Sequence, residues 1–302
     1  MRYYSLNQYC RDTFGEKLYK LSLDGGMTCP NRDGFLSDRG CLYCSDGGSG
    51  DFAADRKLSI TDQLAEAKEK VSGKCKCEHF IAYFQAFTNT YAPVEYLRRI
   101  FYEAINDPSI AVLSIGTRTD CFSPEIYDLL AELNRIKPVW IELGLQTIHQ
   151  DTLDAMNTHT KVSDFTAVVN ELNARGIKVI AHLILGLPGE TRDMMTESVD
   201  FVAHSNIFGV KLQLLHVLKD TPLASSFEAK PFRLFSLEEY CDFVVDCIER
   251  LPENMVIHRM TGDGPRALLI APLWSTDKKR VLNTINQNFK LRDTYQGRLY
   301  LA

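Results

Sequence analysis

The string Thr28-Cys29-Pro30-Asn31-Arg32, followed after a short loop by Gly40-Cys41-Leu42-Tyr43-Cys44, decides how the rest of this 302-residue chain is read. Eleven residues separate Cys29 from Cys41 and two separate Cys41 from Cys44. Three thiolates in one loop can hold three irons of a cubane and leave the fourth iron open for a ligand. A cluster that only carries electrons usually takes four cysteines, and a structural zinc closes its shell with four ligands. No further Cys or His follows Cys44 for thirty residues. The competing readings are three structural thiols or a degenerate zinc knuckle. Gly40 and the aromatic Tyr43, which is placed to shield a cluster from water, favour the cluster.

Working outward from this loop, short apolar runs alternate with longer amphipathic stretches. Strands are expected at 18–23, 80–84, 110–115, 139–145, 179–185 and 210–216, and helices at 60–71, 94–105, 124–136, 163–175 and 191–204. After Pro222 this rhythm weakens: a helix is expected at 236–250, followed by the segment 255–258 and the turn 261–265, and a last helix at 276–288. Ser59 or Thr61 is a suitable N-cap for the first helix, and Ser123 with Pro124 for the third. Gly176 follows Arg175 where a C′ glycine belongs. Alternating β and α segments imply a parallel sheet with right-handed crossovers. Six such units predict an α/β fold: a partial (β/α)6 TIM-like barrel, with a small C-terminal α/β extension. We place the barrel at residues 1–222, with 1–17 as an N-terminal cap packing across it, and the extension at 223–302.

Barrel chemistry sits at the C-terminal ends of the strands, and the polar sets lie there. They are the cysteine loop, Gln85 with Thr88-Asn89-Thr90, Gly116-Thr117-Arg118-Thr119-Asp120, Gln146, Gly186-Leu187-Pro188-Gly189-Glu190 and His216. His182, His216 and His258 are read first as packed strand histidines and second as substrate contacts. Cys241 and Cys247 are expected in the core. Cys121 either packs or borders a pocket, and Cys10 carries no assignment. Cys75 and Cys77, flanking Lys76, read as exposed thiols in a polar turn, with metal binding as the lesser alternative.

Composition bounds the rest. The chain is 45% apolar and 24% charged, with a formal net charge of −5, so its whole surface is no basic glove for nucleic acid. No run of 18 apolar residues predicts a membrane span, and the start Met1-Arg2-Tyr3-Tyr4-Ser5 lacks a secretory h-region. With nine cysteines, an odd number, and no secretory signal, a disulfide framework is not expected, and the reading is a cytoplasmic protein. From Lys278 onward, Lys278, Lys279, Arg280, Lys290, Arg292 and Arg298 face a single acid, Asp293.

These pieces together resemble the radical S-adenosylmethionine (SAM) superfamily, in its elongator-like branch, and more closely the YtqA/YhcC family of bacterial proteins. The resemblance runs over nearly the whole chain. It is carried by Thr28–Gly34, Tyr83–Tyr91, Gly116–Asp120, Glu142–Thr147, Gly186–Thr191 and His258–Pro265. The interval between Cys29 and Cys41 is longer than the three-residue gap usual in the superfamily. The resemblance implies a [4Fe-4S] cluster on Cys29, Cys41 and Cys44, whose open iron chelates the methionine moiety of SAM. It implies reductive cleavage of SAM to a 5′-deoxyadenosyl radical that takes a hydrogen atom from the substrate. It further implies an electron donor such as flavodoxin or ferredoxin.

Cofactor contacts are expected from Gln85, Thr88, Arg118, Asp120, Gln146, Gly186 and Gly189. Gln85 and Thr88 stand where many relatives carry a Gly-Gly-Glu stretch that meets the methionine amine; this chain has neither those glycines nor the carboxylate. Gln146 suits a ribose hydroxyl, and Gly186–Glu190 the loop beside adenine. Asn157-Thr158-His159-Thr160 lacks the arginine that commonly follows the Asn. No catalytic residue is assigned. The branch implies a tRNA substrate modified at C5 of the wobble uridine, which the basic tail suits. A small-molecule or peptide substrate is the alternative, and a non-catalytic metal-binding module is the third reading.

Overall fold

Seven parallel strands form one sheet in the order β1-β2-β3-β4-β5-β6-β8, curled into a partial barrel. The computed structural model describes residues 2–48, 50–73, 77–262 and 264–301. The first six strands are β1 (Tyr19–Leu23), β2 (Phe80–Phe84), β3 (Ile110–Thr117), β4 (Val139–Gln146), β5 (Lys178–Leu185) and β6 (Gly209–Leu214). They follow the sequence expectation closely, except that β6 stops at Leu214 and leaves His216 beyond the strand. After β6 come β7 (Val217–Leu218), α8 (Pro222–Ala229) and α9 (Leu237–Glu249). The four-residue β8 (Val256–Arg259) then pairs parallel with β6. The sheet therefore has one strand more than the six-unit barrel expected, and the extra strand comes from the C-terminal segment.

The crossover helices are α2 (Ile60–Ser72), α3 (Val94–Ile105), α4 (Pro124–Asn134), α6 (Val162–Ala174) and α7 (Arg192–Ala203). The expected caps form: Ser59 accepts from the Asp62 amide and Ser123 from the Ile126 amide. Gly176 has φ +69°, the left-handed conformation that ends α6 without a Cβ penalty. Thr191 is the N-cap of α7, its side chain accepting from the Met194 amide. Three short helices were not expected: α1 (Leu6–Phe14), α5 (Gln150–Ala155) and α8. β9 (Leu269–Ala271) pairs antiparallel with β7, and α10 (Lys278–Leu291) packs on α9.

Strand side chains alternate between two faces, and here the two faces differ in kind. The outer face, with Leu21, Phe84, Leu113, Ile141, Leu183 and Leu212, forms the main core beneath the helices. The inner face is apolar only at the bottom, where Ile81, Val112, Trp140, Ile180 and Val256 pack against Tyr9 and Cys10 of α1. The N-terminal segment thus plugs the barrel floor. Above that plug the inner face turns polar and opens into the site.

Cys241 and Cys247 are buried in the main core, and burial pushes the Cys241 thiol up to about 12. Cys77 is disulfide-bonded, which corrects the reading of an exposed thiol there; Cys75 lies outside the described residues. Among the described residues no helix is long and apolar enough to cross a membrane.

Candidate active site

The three cysteines line the mouth of a 260 Å³ cavity running down into the barrel. None of the three is in a disulfide, and each is partly buried. Their loop has little regular structure, so it is braced by side chains. Asn31, fully buried, donates to the Asn157 carbonyl at 2.6 Å and lies 3.4 Å from the Cys41 sulfur. Asn157 returns a bond from its amide to the Gly40 carbonyl at 2.8 Å. Arg32 donates to the Cys44 and Ser45 carbonyls at 2.8 and 2.7 Å. A thiol bonded to such a scaffold is held before any cluster arrives, which lowers the ordering cost of binding.

Asn157 holds φ +55°, a conformation costly for most L-residues and tolerated best by Asn. Asn157→Ala loses the bond to Gly40 and adds strain. We expect a loss of about 1–2 kcal/mol in stability and faster release of iron to a chelator, read by thermal unfolding and iron content. Unchanged values in both would remove Asn157 from the support of this loop.

Among the described residues, no group of three or more His, Cys, Asp or Glu side chains converges as a single metal ion would need. A cubane takes each thiolate on a different iron, so its three sulfurs need not meet at one point. The donor set fits such a cluster. Burial raises the Cys41 thiol, while the Arg118 charge and the Asn31 amide pull it back toward the thiolate.

The other expected contacts divide. Gln85, Thr88, Arg118 and Gln146 line the cavity. Asp120 does not, but it orients Arg118 through two hydrogen bonds of 2.9 and 2.7 Å. Burial lowers the guanidinium's pKa, and Asp120 more than restores it, so Arg118 is a fixed cation. Gln146 ends β4 at φ +69° with its Oε1 buried and unpartnered among the described residues. A buried acceptor left without a donor costs about 1–3 kcal/mol, and a ligand hydroxyl in the cavity would repair it. A Cβ on Gly144 would stand 2.8 Å from the Gln146 amide nitrogen, so glycine there keeps room for this side chain. Gly186 and Gly189 have φ of +93° and +88° but do not line the cavity; Gly186 packs beneath Phe235. His216 lines the cavity, and His258 sits below it against Trp140 and Phe208.

Sequence reasoning singled out His182 but missed the polar layer that it joins beneath the mouth. Glu142 on β4, fully buried, is ion-paired to both Lys20 of β1 and Lys211 of β6. It also accepts from Ser114 of β3 at 2.8 Å and His182 of β5 at 2.9 Å. Lys211 donates to the Tyr83 hydroxyl of β2 at 3.0 Å. Six strands thus contribute to one ring of polar groups. Burial alone would raise the Glu142 pKa, but the two ammoniums hold it well below the carboxylate range. His182 is pushed down to about 4 by burial and by Lys211, so it is neutral at pH 7.

Comparison with known proteins agrees with the fold. The model of the radical SAM superfamily matches residues 37–202, and that of the radical SAM C-terminal domain matches 207–290. The chain belongs to the radical SAM superfamily. It is 44% identical to protein YtqA of Bacillus subtilis over 299 residues, covering 99% of this chain and 93% of that one. A shorter stretch of 162 residues is 25% identical to the tRNA uridine(34) acetyltransferase of Methanocaldococcus jannaschii, covering 52% of this chain and 29% of that one. Among solved structures, the archaeal Elp3 of Methanocaldococcus infernus superposes with a TM-score of 0.68 at 17% identity, covering 92% of this chain and 64% of that one. At that identity the likeness concerns the fold alone.

Proposed function

We propose that this protein is a radical SAM enzyme that modifies tRNA, acting on the C5 side chain of the wobble uridine. The observation that carries the radical SAM part is the braced Cys29/Cys41/Cys44 loop opening onto a cavity with the fixed Arg118 cation and the orphaned Gln146 acceptor. When bound, a [4Fe-4S] cluster and SAM would supply reductive bond cleavage and hydrogen-atom abstraction. The chain's own part is to bind, orient and exclude water. Cys29, Cys41 and Cys44 would hold the cluster. Gln146 Oε1 would accept from a ribose hydroxyl. Arg118, held by Asp120, would face an anionic group of the cofactor. The apolar plug of Trp140, Ile180 and Tyr9 closes the chamber from below.

The tRNA part rests on different support. The matched stretch of the tRNA uridine(34) acetyltransferase points to that substrate class, and so does the branch resemblance. The basic tail supports it less than its sequence suggests. Arg292 is tied up by Asp242, Asp246 and Glu249 of α9, and Arg280 stands 3.8 Å from Glu238. Lys278, Lys279 and Lys290 stay exposed on α10. Replacing Lys278, Lys279 and Arg280 with Ala should weaken tRNA binding and lower the salt slope by roughly one per lost phosphate contact, with tRNA-independent SAM cleavage unchanged. An unaltered affinity would take this face out of the reading.

The deciding experiment incubates reconstituted protein anaerobically with SAM, a reductant and bulk tRNA, following 5′-deoxyadenosine and the nucleoside masses together. Cleavage stimulated by tRNA with one uridine derivative shifting in mass is the expected result. Cleavage indifferent to tRNA would keep the enzyme class and point to a small molecule or peptide.

A further inference from the structure

The polar ring around Glu142 carries more positive charge than it balances. Lys20 and Lys211 share one carboxylate, so the layer holds a formal excess of one positive charge in the barrel interior. Among the described residues the other carboxylate lining the cavity is Asp51, which is bonded to Ser45 at 3.0 Å, and Arg259 lines the same cavity as a further basic residue. Lys211 is 2% exposed, and two of its three N–H donors go to Glu142 and Tyr83. The third has no acceptor among the described residues. Lys211, Tyr83, Glu142 and His182 all line the same cavity as the cysteines.

We propose that Lys211, supported by Lys20 and Tyr83, forms a subsite for an oxyanion of the substrate, a carboxylate or phosphoryl group, at the cavity floor. Buried cations without a matching anion are expensive, and the ring shows that cost. Burial pushes both lysines down, and the attraction of Glu142 does not restore either. An incoming oxyanion would supply the missing charge and take the open N–H. The subsite is distinct from the cofactor's end of the cavity: Glu142 lies four residues before Gln146 on β4, about 13 Å along the strand. A substrate anchored there would extend upward, with its reacting C–H bond toward the mouth. The inference rests on reading the cavity as the reaction chamber, but not on tRNA as the substrate.

The test titrates the full-length, cluster-reconstituted protein with sodium acetate and, separately, with inorganic phosphate. Saturating SAM is present, ionic strength is fixed with sodium chloride, and Tm is followed. At least one oxyanion should raise Tm saturably beyond the chloride control, and the effective one names the group. Lys211→Met should weaken that anion at least about tenfold. This variant leaves Glu142 paired one-to-one with Lys20, so it should fold, and Lys211→Arg, which keeps the charge, should retain binding. The subsite is wrong if neither anion acts on the wild type, or if Lys211→Met responds as the wild type does. A response seen only without SAM would assign the anion to the cofactor's own pocket and also overturn it. SAM cleavage is scored separately on the same preparations. Cleavage without anion binding removes the subsite and spares the enzyme class; anion binding without cleavage supports the subsite and counts against the class.

Discussion

Cys41→Ala should leave a folded protein that no longer retains the cluster and no longer cleaves SAM. The expected fall in cleavage exceeds the 10–100-fold typical of losing a metal site's outer-shell partner, because a ligand itself is gone. The fold should survive because the loop is not held by its sulfurs. The bonds of Asn31, Asn157 and Arg32 to backbone carbonyls stay in place when the thiol is removed. Apo-protein stability should therefore change by no more than about 0.5–1 kcal/mol. Iron content after reconstitution, the brown cluster absorbance and 5′-deoxyadenosine release measure the effect, with apo-protein Tm as the control. Full cleavage by Cys41→Ala would dismiss the three-cysteine assignment. A collapsed Tm would instead make Cys41 a packing residue.

The β/α rhythm was legible because each parallel strand is an aliphatic run of ordinary length between amphipathic stretches, and the cap residues mark where helices begin. β8 was legible as a segment at Met255–His258 but not as a strand of the sheet, because it is only four residues long and becomes a strand through its neighbour, Gly209–Leu214. α5, at six residues, is too short to show a helical period. At the site, the cysteine loop was legible because its three ligands are close in sequence. The bracing by Asn157 was not, since it joins segments separated by 117 residues.

The ring beneath the mouth was hidden for the same reason in stronger form. Lys20, Tyr83, Ser114, Glu142, His182 and Lys211 arrive one per strand, and each looks like an isolated polar residue inside an apolar run. A usable signal was there. Alternation puts Leu21, Leu143 and Leu212 on the opposite face from Lys20, Glu142 and Lys211. A charged residue on the inner face of a buried parallel strand needs a partner on the inner face of another. The basic tail errs in the opposite direction: its charges cluster in sequence, yet α9 offers them acids that only the fold brings near.

Glu142→Leu should be the most destabilising single change in the ring, at about 3–5 kcal/mol, or a fall in Tm of about 5–10 °C. The apolar replacement fits the volume but leaves Lys20 and Lys211 buried together without their shared counterion. Its pH dependence gives a second signature. Both lysines are already held below their ordinary pKa by burial, and losing Glu142 lowers them further. Between the folded and unfolded lysine pKa values the unfolded chain binds more protons, so stability rises with pH. The deficit of Glu142→Leu should therefore shrink as pH climbs from neutrality toward 10. Adding Lys211→Met removes one of the stranded charges, so the double variant should lose less than the sum of the two single changes, by about 0.5–3 kcal/mol of coupling. Denaturant unfolding of the four proteins at two pH values measures all of this. Additive losses with no pH dependence would mean that the ring is held by packing and not by the balance of charge around one carboxylate.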